Sequence, residues 1–83
     1  MKYEFTQLAL AGLKKQPGFI QKKILGNLEK LAGVGDPLDY ADHLIYHEIG
    51  QFRFRIGDYR IIFDADGETL KVLAIGHKRE VYE

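Results

Sequence analysis

An α+β fold of order β-α-α-β-β-β follows from three features of the chain. Two strictly alternating runs, Phe52–Ile56 and Tyr59–Phe63, flank Gly57-Asp58, and a further apolar run follows Asp66-Gly67. Both dipeptides suit two-residue hairpin loops, because glycine accepts positive φ without a steric penalty. Between Thr6 and Ala32 the apolar residues recur instead at helical spacing, with a break at Gln16-Pro17-Gly18. Lys2–Phe5 is short and partly alternating, which reads as a first strand. The expected architecture is a three-stranded antiparallel meander packed on an N-terminal helical hairpin, with the first strand pairing along an edge.

Taken in order, Thr6 can cap the first helix by accepting a backbone N–H bond. Phe5, Leu8, Ala9, Gly12 and Leu13 then form one helical stripe. Pro17 ends that helix, since the residue before a proline is pushed out of the α region. A second helix is expected from Gly18 or Phe19 to Ala32, with Ile20, Ile24, Leu28 and Leu31 inward, and Gly33 in a left-handed C-terminal cap. Val34–Ile49 reads as a long connection, with Asp36 as a turn residue before Pro37-Leu38.

In the central hairpin Ile56 should face Tyr59, Arg55 Arg60, Phe54 Ile61, Arg53 Ile62 and Phe52 Phe63. A two-residue loop at Asp66-Gly67 would set Phe63 against Leu70, Ile61 against Val72 and Tyr59 against Ala74. Lys71, Leu73 and Ile75 would then point the other way. Gly76 breaks the last strand, and His77–Glu83 is a polar tail.

Composition narrows the possible functions. At 83 residues the chain is expected to be one domain, 1–83, burying roughly 60% of its extended surface. Cysteine is absent, so no disulfide or thiolate metal site can form, which fits a reducing compartment. Met1–Phe5 shows no apolar signal region. Leu8–Leu13, the longest mostly apolar stretch, is far short of the ~20 residues of a membrane span. A cytoplasmic protein with no membrane contact is the expectation. Twelve basic and twelve acidic residues cancel, which argues against a general nucleic-acid binder; the cations nevertheless concentrate in the last third of the chain. His43 and His47 stand at i, i+4 but lack a third ligand at suitable spacing, so a surface role is expected and no metal or other cofactor. No Gly-rich phosphate loop or Ser-His-Asp arrangement is present.

The sheet face opposite the core is the informative one. It carries Arg53, Arg55 and Arg60, with Ile62 as its apolar member in the central hairpin. Like charges directly opposed across a ladder destabilise it, so Arg55 against Arg60 is a conflict that folding alone does not favour. Such conflicts gather at functional sites, and an anion between the two would remove the repulsion.

The Arg-x-Arg-x-Gly-x-Tyr-Arg hairpin, the Asp-Gly turn and the ending Ile75-Gly76-His77-Lys78-Arg79-Glu80-Val81-Tyr82 resemble the RelE/ParE toxin superfamily, and the ending is similar to its RelE-like branch. The resemblance covers nearly the whole chain. It implies a RelE-like fold and the toxin of a type II toxin–antitoxin pair, a metal-independent endoribonuclease (mRNA interferase). Such a toxin cleaves mRNA in the ribosomal A site by attack of a ribose 2′-hydroxyl on the adjacent phosphate. By the same resemblance Arg53 and Arg55 match the basic positions of the second strand, and Arg60 the phosphate-stabilising arginine of the third. Lys78 matches the basic residue after the last strand, and Tyr82 the aromatic that stacks on a base. Implied partners are a RelB-like antitoxin, the ribosome and mRNA, with promoter DNA met only through the antitoxin complex.

Proton transfer is the open point. Arginine is effectively never deprotonated, so Arg53 and Arg55 cannot act as bases where the best-known RelE pattern has lysines. His77, which titrates near neutrality, is the favoured acid or base, with Tyr82, Glu80 and Lys78 as alternatives. The catalytic candidates are Arg55, Arg60, His77, Lys78 and Tyr82; Arg53, Lys71 and Arg79 are candidates for RNA binding. The glycine bend leaves open which of Lys78 and Arg79 reaches the site. Two other functions fit the residues: a ParE-like inhibitor of DNA gyrase without nuclease activity, and an inactive relative acting as co-repressor with its antitoxin.

Overall fold

The structure, a computed structural model, describes residues 2–45 and 48–81. It consists of β1 (Lys2–Phe5), α1 (Gln7–Lys14), α2 (Gly18–Gly33), a 3₁₀ turn (Pro37–Tyr40), β2 (Asp42–His43), β3 (Phe52–Ile56), β4 (Tyr59–Asp66) and β5 (Thr69–His77). The strands form one sheet in the order β1-β5-β4-β3-β2. All neighbours are antiparallel except β1 and β5, which run parallel. The α+β class and the helix-backed meander hold. The 3₁₀ turn and β2 occupy part of the stretch expected to be a plain connection.

The helices begin and end for local reasons. Thr6 caps α1, its Oγ1 accepting from the Ala9 N–H at 3.1 Å while donating to the Leu73 carbonyl at 3.1 Å. Leu8, placed on the inward stripe by its spacing, is 69% exposed; Ala9 and Leu13 are the buried residues of α1. Gly33 does not adopt the left-handed cap. It completes α2, and the cap is an extended Val34. Positive φ occurs at Gly57 and Gly67, the two hairpin loops, where any side chain would be strained. Asp36 caps the 3₁₀ turn through the Leu38 N–H at 3.0 Å.

One side of the sheet carries the core. Ile20, Ile24 and Leu28 of α2 join Ala9 and Leu13 against Phe54, Ile61, Phe63, Leu70, Val72 and Ile75. Phe54 and Phe63 stack with centroids 4.2 Å apart. Burying a side chain of this size stabilises the fold by roughly 2–3 kcal/mol, so the alternation of β3 and β4 is strongly held in register. Tyr3 on β1 donates to Glu29 of α2 at 2.7 Å. That bond is the main reason the phenol's pKa is raised.

The last hairpin differs from the expectation in one respect that matters. Asp66 pairs with Thr69, so the loop is Gly67-Glu68 and the partners move by two residues, which leaves the parity unchanged. A bulge between Ile62 and Phe63, with one extra residue in β5, then reverses the parity further along. Phe63 faces Val72, Ile61 faces Ile75, Arg60 faces Gly76 and Tyr59 faces His77. Ile75 therefore belongs to the core rather than to the arginine face, and Ala74, opposite Ile62, takes the reverse position.

Beyond β1, helix α1 closes the edge of β5. A Cβ on Gly12 would run into the Ile75 carbonyl oxygen. Substitution Gly12→Ala should therefore cost about 2–3 kcal/mol, read as a lower urea midpoint with the slope unchanged. The tail is strapped to the same helix by Lys15, whose Nζ lies 2.8 Å from Glu80 Oε2. Hydrogen bonding and then Coulombic attraction from Lys15 hold the Glu80 carboxyl below its ordinary range. A depressed folded-state value means the strap is present at neutral pH and is lost as pH falls through that value. Lys15→Met should move the Glu80 titration midpoint upward in carboxyl NMR, toward that of a free glutamate.

Candidate functional site

The central hairpin has the register read from its sequence. Gly57-Asp58 forms the loop, and Arg55 stands directly opposite Arg60. Arg53 lies two residues back on the same face of β3, opposite Ile62. These three guanidinium groups share the face of the sheet away from the helices.

Each is held differently. Arg60 Nη1 donates to the Gly57 carbonyl at 2.9 Å and to that of Tyr59 at 3.0 Å, which folds the side chain back over the hairpin loop. Arg53 and Arg55 are joined by Asp42 of β2, a residue not singled out from the sequence as functional. Arg53 Nε and Nη2 donate to Asp42 Oδ2 at 3.3 and 3.2 Å, and Arg55 Nε lies 2.9 Å from the same oxygen. Opposition of Asp42 to Arg53 in the β2–β3 ladder places the carboxylate there. A strand of two residues has no alternation to detect, so the pattern of the chain gave no hint of this pair.

The tail approaches from the β5 side. The Lys78 N–H donates to the Asp58 carbonyl at 2.7 Å, and its Nζ lies 3.6 Å from Asp58 Oδ1. The chain then turns, with the N–H groups of Glu80 and Val81 both donating to the His77 carbonyl. Val81 comes to rest over Gly76, where a Cβ would meet its Cγ2 at 2.8 Å. Gly76 is the residue opposite Arg60, so the tail closes over the arginine face at that point. Tyr82 lies outside the described residues, as does His47.

Three expected site residues are placed elsewhere. His77 faces Tyr59 on the helix side of the sheet, ring edge to ring face with centroids 5.5 Å apart. It is not brought to the arginines, because the bulge in β5 reverses the parity. Its Nδ1 accepts from the Arg79 N–H at 3.1 Å, so in the neutral ring the proton sits on Nε2. Arg79 is exposed on the tail turn. Lys71 is on the arginine face but far along it, between Asp64 and Glu4 in the ladders. It is five residues from Gly76, roughly 16 Å at about 3.3 Å per residue. Lys78 reaches the hairpin loop of the arginines; Arg79 has no comparable anchor among the described residues.

Two further features define the surroundings. Ile62 is completely buried on the arginine face, because the segment before β3 crosses it. A Cβ on Gly50 would meet Ile62 Cγ2 at 2.7 Å, and the Gln51 N–H donates to Asp64 Oδ1 at 2.8 Å. Beside this crossing lies a groove of ≈ 420 Å³, mostly apolar, formed by Leu8 and Ala11 of α1, the capping residue Lys15, Ile49, Ala74 and Val81, with other residues. Among the described residues no three His, Asp or Glu side chains gather where they could hold a metal ion.

The arrangement is a cationic face with two opposed arginines at its centre, flanked by a lysine and closed by the C-terminal tail. Chemically it can bind a phosphodiester and stabilise negative charge developing on phosphorus-bound oxygens.

Comparison with known proteins agrees with the fold. Residues 3–82 match the sequence profile of the ParE toxin of type II toxin–antitoxin systems, parDE. Toxin RelE3 of Methanocaldococcus jannaschii is 29% identical over 87 residues, covering 100% of this chain and 97% of that protein. The toxin–antitoxin complex RelBE2 of Mycobacterium tuberculosis contains a chain with TM-score 0.74 and 28% identity, covering 92% of this chain and 95% of that one. The RelB–RelE complex of Methanococcus jannaschii contains one with TM-score 0.70 and 25% identity, covering 94% and 93%. Nearly the whole chain takes part in each match, so it belongs to the ParE toxin family of type II toxin–antitoxin systems, within the RelE/ParE superfamily.

Proposed function

We propose that this toxin is a ribosome-dependent mRNA endonuclease that cuts in the A site without a metal ion. The observation that carries the reading is Arg55 opposite Arg60, with the tail folded over the same face. In the reaction the ribose 2′-oxygen forms a bond to phosphorus and the bond to the 5′-oxygen breaks, leaving a 2′,3′-cyclic phosphate and a 5′-hydroxyl. Negative charge grows on the two non-bridging oxygens. Arg60 and Arg55 are assigned to them, since guanidinium forks meet phosphate oxygens bidentately. Arg53 extends the phosphate contact along the strand.

With His77 on the helix side, proton transfer is assigned to the tail. Lys78, beside the hairpin loop, delivers a proton to the leaving 5′-oxygen, and Tyr82 stacks on a base and, in its phenolate form, accepts the 2′-hydroxyl proton. Stacking of that kind contributes roughly 1–3 kcal/mol. The partner in the resting cell is a RelB-like antitoxin, as in the two similar complexes. Acidic residues on such a chain would neutralise the arginines, and an apolar helix face would fill the neighbouring groove.

Toeprinting on ribosomes stalled with a defined A-site codon tests the reading. The wild-type toxin should cut there, and Arg60→Ala should slow cleavage by about 10²–10³-fold, the usual consequence of losing one charge-stabilising donor. Wild-type toxin that leaves the message intact overturns the proposal. The matching ParE description favours one second reading, inhibition of DNA gyrase. That reading predicts intact mRNA, loss of supercoiling activity, and growth arrest that survives Arg60→Ala.

A further inference from the structure

The arginine face already contains an anion. Asp42 Oδ2 receives Nε and Nη2 of Arg53 and lies 2.9 Å from Nε of Arg55. One carboxylate oxygen thus engages directional donors on both guanidinium groups, the same donors that an RNA phosphate oxygen would take. We propose that Asp42 is a resident competitor of the site, occupying the phosphate position between Arg53 and Arg55 and yielding it when a nucleic-acid backbone arrives. This rests on the reading of the arginine face as a phosphodiester site.

Three observations support exchange rather than a permanent bracket. The side chains of Arg55 and Asp42 are 60% and 34% exposed, against 18% for Arg53, so the half of the bracket made with Arg55 is open to water and holds weakly. Asp42 sits on an edge strand of only two residues, paired to β3 at Asp42 and His43, so moving its side chain disturbs little of the sheet. The carboxylate also offsets one positive charge of a crowded group. With Asp42 in place the opposed arginines are tolerable before any ligand binds; phosphate then takes over the same electrostatic task. The consequence is a raised threshold for RNA: a loose single strand must displace Asp42, whereas a strand held in position by a larger assembly does so at high effective concentration.

Binding of a short single-stranded RNA with 2′-O-methyl riboses, which cannot be cut by its own 2′-oxygen, tests this by fluorescence anisotropy over a range of KCl. Asp42→Asn keeps the size and one acceptor but removes the charge. It should bind roughly three- to tenfold more tightly than wild type, as expected for one charge a few ångströms away near a wet surface. Its salt dependence should steepen by about 0.7 in log–log slope, the increment for one more single-strand phosphate neutralised. Unchanged or weaker binding by Asp42→Asn overturns the proposal.

Arg55→Ala in the wild-type background separates the two levels. Undiminished binding there removes the phosphate reading of the whole face. Diminished binding, with no gain in Asp42→Asn, removes only the competitor. Should Asp42→Asn not fold, the Arg55 Nε–H resonance of the wild type reports the exchange. It should shift as the oligonucleotide saturates, and a resonance that stays in place overturns the proposal.

Discussion

Two guanidinium groups set directly against each other across one antiparallel ladder are the constraint around which this molecule is arranged. The pairing of Arg55 with Arg60 is unfavourable in itself. It persists because the reverse face of the same strands is committed to the core. Phe54, Ile56, Ile61 and Phe63 are buried there, and a slip of one residue would exchange the apolar set for the arginines. Burial of those four side chains far outweighs one solvent-accessible repulsion. The hydrophobic core thus holds the cations where electrostatics alone would not put them.

The rest of the structure manages the resulting charge. Arg60 is turned back onto the carbonyl groups of its own loop, and Asp42 draws Arg53 and Arg55 together. Lys78 is tied to Asp58 by backbone and side chain. Glycine permits two of the approaches on which this depends. Gly12 lets α1 lie against the β5 backbone, and Gly76 leaves room for Val81 above the residue opposite Arg60. The tail is thus held between a helix and a sheet, with its last described residue over the arginine face.

Much of this was legible in the chain. Period-two alternation on either side of Gly57-Asp58 predicts the central register residue by residue, because a two-residue loop with positive φ allows one pairing. The Thr6 cap and the break at Pro17 were equally local and equally clear. The second hairpin was less so. Asp66-Gly67 and Gly67-Glu68 are both acceptable loops, and the choice depends on side-chain packing across the whole sheet, with a bulge further along that reverses the parity. That bulge sent Ile75 into the core and carried His77 to the opposite face from the arginines.

What the sequence by itself determined is the central hairpin: its loop, its register, and the sorting of aromatic from basic side chains between two faces. These follow from nearest-neighbour geometry, where alternation and turn chemistry leave a single solution. Only the tertiary structure decided which groups meet the arginines. Asp42 arrives on a strand too short to have a period, Lys78 and Val81 arrive through the fold of the tail, and His77 is excluded by one extra residue in β5. Contacts of that kind join parts of the chain far apart in sequence, and their geometry is set by the packed sheet rather than by any local pattern.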